Sequence, residues 1–238
     1  MSEIEVEEKP LNIAENFKIN KSTYNLFITC PRQFYYSYAK YPREQNELSK
    51  EIMKYGVDFH NLMKDYNQNN LIDIPDKFKE LLIMHKSVVL TELIPKGYDK
   101  PLLVEGKLIH ENINGIIDIA LTNGDKNLII DYKTVLKMKD NFIKYKPELL
   151  IYAYLLNKNY SIPYNQIEIG IEMIEQNTGL INFKMINFKE KDVEKEIENV
   201  KNIYTFIKTH NSINDYSKIS KNKTSKICQY CDFYKICK

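Results

Sequence analysis

Apolar and polar positions follow two different periods along the chain, and the change between them predicts the order of elements. Helical spacing of apolar residues predicts helices over about 22–40, 47–66, 75–90, 147–159 and 189–208. Short segments rich in β-branched residues predict strands over 102–110, 115–121, 127–134, 167–175 and 180–188. This order indicates an α/β fold in which helices flank a mixed β-sheet.

Two features refine this outline. Ser22 is a candidate N-cap for the first helix, and Pro31 predicts that this helix is two helices meeting near Cys30. The chain has no internal repeat and no low-complexity linker. We therefore expect a single domain over residues 1–238.

The predicted hairpin at 115–134 carries the residues most indicative of chemistry. Asp131 and Lys133 point to one face of their strand because side chains alternate. A turn centred on Gly124-Asp125 places Asp118 directly opposite Asp131, whereas a turn centred on Asn123-Gly124 shifts the pairing by two and leaves both carboxylates on one face. Opposed carboxylates among apolar residues need a counter-charge, which Lys133 or a divalent cation such as Mg²⁺ or Mn²⁺ can supply. The hairpin alone leaves open whether this is a catalytic site or an Asp–Lys–Asp salt-bridge cluster.

The four cysteines form one pattern, Cys30 followed by Cys228, Cys231 and Cys237. No apolar run is long enough to span a membrane and no basic-then-apolar leader opens the chain, so we expect a cytoplasmic protein without a membrane partner. Thiols stay reduced there, which favours metal ligation over disulfides. Spacing alone favours zinc.

The net charge of +2 does not by itself indicate nucleic-acid binding, but its distribution is uneven. The segment 218–238 holds six lysines against one aspartate. Such a basic tail can follow a phosphate backbone or simply be solvated. The candidate DNA contacts in it are Lys218, Lys221, Lys223 and Lys226.

Gly115-Ile-Ile-Asp118 followed by Asp131-Tyr132-Lys133-Thr134 resembles the PD-(D/E)XK nuclease signature, in the form found in RecB-like nucleases. Gly56-x-x-x-His60 is similar to the upstream helix motif that carries a metal-binding histidine. Glu105 lies where the family often has a glutamate on its first core strand. Glu148-x-x-x-Tyr152 occupies the place of the family's Gln-x-x-x-Tyr motif, but a carboxylate replaces the usual amide.

The resemblance implies a restriction-endonuclease-like core, over about 47–208, that hydrolyses DNA phosphodiester bonds with Mg²⁺ or Mn²⁺. It implies exonuclease activity on single-stranded ends, with endonuclease activity as a further option. His60, Asp118, Asp131 and the backbone carbonyl of Tyr132 would hold the metal, with Glu105 as a further candidate. Lys133 would act in catalysis together with Asp118 and Asp131, and Glu148 and Tyr152 are further catalytic candidates.

The cysteine pattern is similar to that of iron–sulfur RecB-like nucleases, including CRISPR-associated four-cysteine exonucleases and the nuclease domains of repair helicase–nucleases. This likeness implies a [4Fe–4S] cluster, with zinc as the alternative, joining elements at about 22–40 and 218–238. CRISPR adaptation proteins or a separate helicase are the implied partners. Antiviral defence, DNA repair and phage DNA metabolism are the implied pathways. The alternative is a catalytically silent DNA-binding or scaffold module of a helicase–nuclease complex.

Overall fold

The computed structural model describes residues 13, 16–41, 47–71, 73–210, 219–221, 228 and 231–237. The backbone packs into two compact units, one of residues 47–197 and one that combines residues 1–46 with 198–238. Each unit has its own interior. The single domain expected over residues 1–238 stays a prediction.

The order of elements is the one that the apolar pattern predicts. The helices are α1 (Lys21–Thr29), α2 (Pro31–Tyr38), α3 (Glu47–Asn67), α4 (Asp76–Val88), α5 (Lys146–Tyr160) and α6 (Glu190–Thr209). The strands are β1 (Lys100–His110), β2 (Ile113–Thr122), β3 (Asn127–Val135), β4 (Ile167–Glu175) and β5 (Ile181–Ile186).

The five strands form one mixed sheet in the order β1-β2-β3-β4-β5. All neighbours are antiparallel except β3 and β4, which run parallel and are joined through α5. A parallel pair needs such a crossover, because its second strand must start at the same end of the sheet. The predicted fold class, a mixed sheet flanked by helices, is confirmed.

Of the two hairpin registers that the turn residues allow, the structure has the one centred on Gly124-Asp125. Ile119 stands opposite Ile130, and Thr122 stands opposite Asn127. Gly124 has φ +92°, a left-handed conformation that glycine adopts without strain. The ladder ends at the Ile119–Ile130 pair, so Asp118 and Asp131 lie where the two strands separate and not within the paired region.

A hydrophobic core lies between the sheet and the helices α3 and α4. Its fully buried members include Phe59 and Met63 of α3, Leu81 of α4, and Ile130 of β3. Tyr132 joins the same core, so the odd-numbered neighbours Asp131 and Lys133 are directed away from it. This alternation on one strand places the charged pair on the side of the sheet that faces α5.

The helices α1 and α4 differ in detail from the prediction. Asn20, not Ser22, caps α1, because its side chain accepts a hydrogen bond from the Thr23 amide at 2.8 Å. The helix predicted over 75–90 is α4, which ends at Val88 and is followed by a π-helical turn over Val89–Leu93 and a short 3₁₀ turn over Ile94–Lys96. No described helix is both long enough and apolar enough to cross a membrane.

Candidate active site

Three side chains from three elements converge near the end of the β2–β3 ladder. His60 of α3, Glu105 of β1 and Asp118 of β2 offer ligand atoms that all lie within 4.8 Å of one another. His60 Nδ1 is 3.5 Å from Asp118 Oδ1. One imidazole and two carboxylates at this separation are a donor set that fits Mn²⁺ or Mg²⁺. The Gly-x-x-x-His motif, the first strand and the hairpin thus meet as the sequence motifs suggested.

Glu105 takes a backbone conformation that strands rarely contain. Its φ is +49°, and its neighbours Val104 and Gly106 pair with Ile119 and Ile117, so Glu105 itself stands opposite Asp118. A left-handed non-glycine residue costs about 1–3 kcal/mol and persists only where the surroundings impose it. In this strained conformation Glu105 offers a carboxylate oxygen within 4.8 Å of the ligand atoms of His60 and Asp118.

The Asp118 carboxylate makes two different contacts. Its Oδ2 accepts a hydrogen bond from the Tyr132 backbone N–H at 2.8 Å, whereas its Oδ1 faces His60. The first contact continues the link between β2 and β3 beyond the last backbone pair. Asp118 is only 8% exposed, whereas the His60 side chain is 32% exposed, so the site opens to solvent on the His60 side. The carboxylate therefore fixes the backbone of Tyr132 while presenting its second oxygen to the site.

Lys133 is bracketed by two buried carboxylates. Its Nζ forms ion pairs with Asp131 and with Glu148 Oε1, the latter at 2.6 Å. The side chains of Asp131 and Glu148 are 0% and 3% exposed, and that of Lys133 is 14% exposed. One ammonium shared by two carboxylates leaves this trio with a net negative charge. No sequence signal indicates the contact between Glu148 and Lys133, because the two residues lie on different elements.

His60 is the titratable group whose pKa best reflects this negative environment. Burial lowers the pKa of the imidazole, but the hydrogen bond and charge of Asp118, followed by the charge of Asp131, outweigh that effect. The net pKa lies above the usual value, although Lys133 opposes the increase. The site therefore attracts a positive charge, and a metal cation would compete with a proton for it.

Two further residues of the predicted site lie close by without joining the donor set. Tyr152 of α5 is buried, and its ring packs so closely against Gly115 of β2 that a Cβ there would lie 2.9 Å from it. The role proposed for the Tyr152 side chain stays a prediction. The Tyr132 amide donates to Asp118, and the metal contact expected of the Tyr132 carbonyl likewise stays a prediction.

The four cysteines come together within the unit formed by 1–46 and 198–238. Cys30, Cys228, Cys231 and Cys237 all line one cavity of about 130 Å³, together with Tyr36 and Lys221. Burial raises the pKa of Cys231, and the nearby Cys237 and Cys30 raise it further. The structure thus brings the four predicted cysteine ligands to one cavity, and the group that they would hold, an iron–sulfur cluster or zinc, stays a prediction.

The aromatic and basic residues around the cysteines are partly described. Phe34, Tyr35 and Tyr36 of α2 are buried and pack inside this unit. The Arg32 guanidinium donates to the Ile219 carbonyl, with the shorter of its two contacts at 2.8 Å. Among the tail lysines predicted to contact DNA, Lys221 lines the cysteine cavity, and Lys218, Lys223 and Lys226 lie outside the described residues.

Comparison with protein families identifies the superfamily to which the chain belongs. The family model of the PD-(D/E)XK nuclease superfamily matches residues 18–238, which include every candidate ligand described above. The chain belongs to the PD-(D/E)XK nuclease superfamily. Members usually use Mg²⁺ or Mn²⁺, in agreement with the His60, Glu105 and Asp118 donor set. Comparison with curated proteins gives no match.

Solved structures that are similar to this chain have low sequence identity to it. A Eubacterium rectale protein, provisionally described as an exonuclease, is 12% identical with a TM-score of 0.55 and covers 94% of this chain and 89% of its own. A phage-related exonuclease from Haemophilus somnus is 11% identical with a TM-score of 0.32 and covers 81% of this chain and 96% of its own. The first similarity supports the restriction-endonuclease-like fold.

One buried histidine–glutamate contact lies on the opposite side of β3 from Asp131 and Lys133, and neither of its residues belongs to the predicted site. His85 Nδ1 of α4 is 2.7 Å from Glu172 Oε1 of β4, and the two side chains are 4% and 0% exposed. Glu172 is the parallel partner of Tyr132. His85 also lines a cavity of about 290 Å³ beside Tyr132. Sequence spacing cannot reveal this pair, because its members lie 87 positions apart.

Proposed function

We propose that this chain is a RecB-like deoxyribonuclease that hydrolyses phosphodiester bonds with Mg²⁺ or Mn²⁺. The observation that carries the proposal is the convergence of His60, Glu105 and Asp118 beside the Asp131–Lys133 pair. Membership of a nuclease superfamily over residues 18–238 supports it. A silent DNA-binding module would have no use for a strained Glu105 aimed at a metal-binding pair.

Each residue of the site has a role in this proposal. His60, Glu105, Asp118, Asp131 and the Tyr132 carbonyl would hold the cation. A bound divalent ion supplies a Lewis acid for the phosphate and lowers the pKa of an attacking water. Lys133 would orient that water and stabilise the negative charge that develops on the phosphate oxygens.

Glu148 and Tyr152 support this arrangement from α5. Glu148 would hold the Lys133 ammonium by the 2.6 Å ion pair, which keeps the lysine directed into the site. Tyr152 would fix α5 against β2 through its contact with Gly115. Both assignments concern positioning, since neither side chain belongs to the His60 donor set.

We further propose an exonuclease that acts on single-stranded DNA ends. The resemblance to RecB-like nucleases supports this substrate, and the Eubacterium rectale protein with the same fold is provisionally described as an exonuclease. CRISPR adaptation, recombination repair and phage DNA metabolism all generate such ends. The protein partners consistent with these settings are CRISPR adaptation proteins and a separate helicase.

The cysteine cavity supports a [4Fe–4S] cluster in our proposal, with zinc as the competing occupant. Residues 1–238 would then act as one nuclease domain, in which the elements at 22–40 and 218–238 share the cluster. The basic tail, with Lys218, Lys221, Lys223 and Lys226, would guide a DNA strand. Anaerobic purification tests the cluster: visible absorbance and iron content, both lost in Cys228→Ser, support it, whereas a colourless zinc-loaded protein contradicts it.

Cleavage of end-labelled single-stranded DNA tests the enzymatic proposal. Wild-type protein should cleave with Mn²⁺ or Mg²⁺ and not with EDTA, and Asp131→Asn should abolish cleavage. Asp125→Asn, at an exposed residue of the hairpin turn, is the matched control and should cleave normally. Activity that persists in Asp131→Asn would contradict the assigned site.

A further inference from the structure

Tyr145 places an aromatic ring next to the proposed catalytic lysine. Its ring centroid lies 5.4 Å from Lys133 Nζ and 4.5 Å from Lys144 Nζ. The Tyr145 side chain is half-buried, and Lys144 is exposed. The ring therefore lies between the ion-paired lysine of the site and a solvent-facing cation.

The backbone around Tyr145 holds this ring in place. Residues Phe142–Tyr145 form a 3₁₀ turn that leads directly into α5, and Pro147 stands in the first turn of that helix. Phe142 is 3% exposed and anchors the start of the turn. A ring attached to the end of a regular helix loses little further freedom when a ligand contacts it.

The segment that precedes Tyr145 has the charge expected of a surface that contacts phosphates. Lys137, Lys139 and Lys144 are exposed, and within the described residues none of them forms an ion pair. Asp140, an acidic residue in the same segment, is paired with Lys184 at 3.1 Å. Positive side chains around an aromatic ring are the combination that binds single-stranded nucleic acid without sequence preference.

We propose that Tyr145 is a stacking platform for a nucleobase next to the scissile phosphate, and this inference rests on the proposed nuclease function. In the proposed nuclease reaction, Lys133 contacts the scissile phosphate. The Tyr145 ring lies about 5 Å from Lys133 Nζ, so it is within reach of the nucleotide next to that phosphate. Lys144 would leave the ring when a base arrives and contact the strand's phosphates instead. The exchange favours the base, because a cation–π contact at an exposed site is weaker than base–aromatic stacking.

A ring beside Lys133 could alternatively serve only to position the ammonium. The two roles differ in what they predict for binding. Stacking contributes to the affinity for DNA, so Tyr145→Ala should weaken binding about 5- to 150-fold, from about 1–3 kcal/mol per stacked base. Positioning alone would lower kcat and leave the dissociation constant unchanged.

Fluorescence anisotropy with a short labelled oligothymidylate tests the inference, with Ca²⁺ present because it shares the oxygen ligands of Mg²⁺. The variants are Tyr145→Ala and Tyr145→Phe, and the matched control is Tyr160→Ala, which removes a partly exposed tyrosine at the far end of α5. Tyr145→Phe and Tyr160→Ala should bind like wild type, since the ring and not its hydroxyl makes the contact.

Oligonucleotides with a single abasic site at successive positions separate stacking from positioning. The inference predicts one position at which loss of the base weakens binding by wild type and has no further effect on Tyr145→Ala. Additive effects at every position, or a Tyr145→Ala variant with unchanged affinity and reduced kcat, would overturn it while the proposed nuclease function stands. Wild-type protein that neither binds nor cleaves DNA would instead refute the proposed function itself.

Discussion

Substitutions of Asp118 can separate its contribution to stability from its contribution to metal binding, because its two carboxylate oxygens make different contacts. Its Oδ2 accepts from the Tyr132 N–H at 2.8 Å, and its Oδ1 faces His60 within the proposed metal donor set. Asp118→Asn keeps an oxygen that can accept the hydrogen bond but removes the negative charge. Asp118→Ala removes both.

The contacts set the size of the expected effects. Asp118→Ala leaves the buried Tyr132 N–H without its acceptor, which should lower the free energy of unfolding by about 1–3 kcal/mol. Asp118→Asn should stay within about 1 kcal/mol of wild type, because the amide oxygen replaces the carboxylate oxygen. Mn²⁺ at about 100 times its dissociation constant should stabilise wild type by about 2.7 kcal/mol and both variants far less.

Urea denaturation with Mn²⁺ and with EDTA measures these differences, and a cleavage assay on the same preparations completes the test. Both variants should lose metal-dependent cleavage, but only Asp118→Ala should lose stability in EDTA. Equal destabilisation of the two variants would refute the role given to the Tyr132 hydrogen bond. Wild-type cleavage or full Mn²⁺ stabilisation in Asp118→Asn would refute the metal role.

Three more variants test the surrounding contacts. Lys133→Met should abolish cleavage. It should also lower the free energy of unfolding measured without metal by about 3–5 kcal/mol, because Asp131 and Glu148 lose the ammonium that they share. Unchanged cleavage would contradict the role of Lys133. Glu148→Gln should cleave within about tenfold of wild type, since an amide oxygen still accepts from Lys133; a loss as large as that of Lys133→Met would instead make Glu148 essential. His85→Ala should lower the free energy of unfolding, measured by urea denaturation, by about 3–5 kcal/mol, because it leaves the buried Glu172 carboxyl without His85. The DNA affinity of the folded protein should not change. A decrease of less than about 1 kcal/mol would contradict this prediction.

The sequence predicted the parts of the fold that depend on local pattern. The turn at Gly124-Asp125 defines the β2–β3 register, and β4 begins and ends where the apolar run does. Pro31 divides the first two helices as expected. Ser22 and Asn20 are both good capping residues, and only the backbone at the start of α1 selects Asn20.

The candidate site could be predicted only in part, because its geometry depends on contacts between distant residues. Motif spacing identified His60 and Asp118, but the left-handed backbone of Glu105 has no sequence signal. The Lys133–Glu148 pair requires α5 to pack on the sheet, and no period along the chain encodes that distance. The contact between Tyr145 and Lys133 cannot be predicted from the sequence for the same reason, since only the turn before α5 brings the Tyr145 ring to Lys133.

Metal-dependent cleavage is the property that tests the central claim most directly. Purified wild-type protein and Asp131→Asn should be compared on end-labelled single-stranded DNA, with Mn²⁺ or with EDTA. The proposed site predicts cleavage by wild type with Mn²⁺ alone, and none by Asp131→Asn under either condition. Cleavage that is insensitive to EDTA, or that is equal in the two proteins, would contradict it.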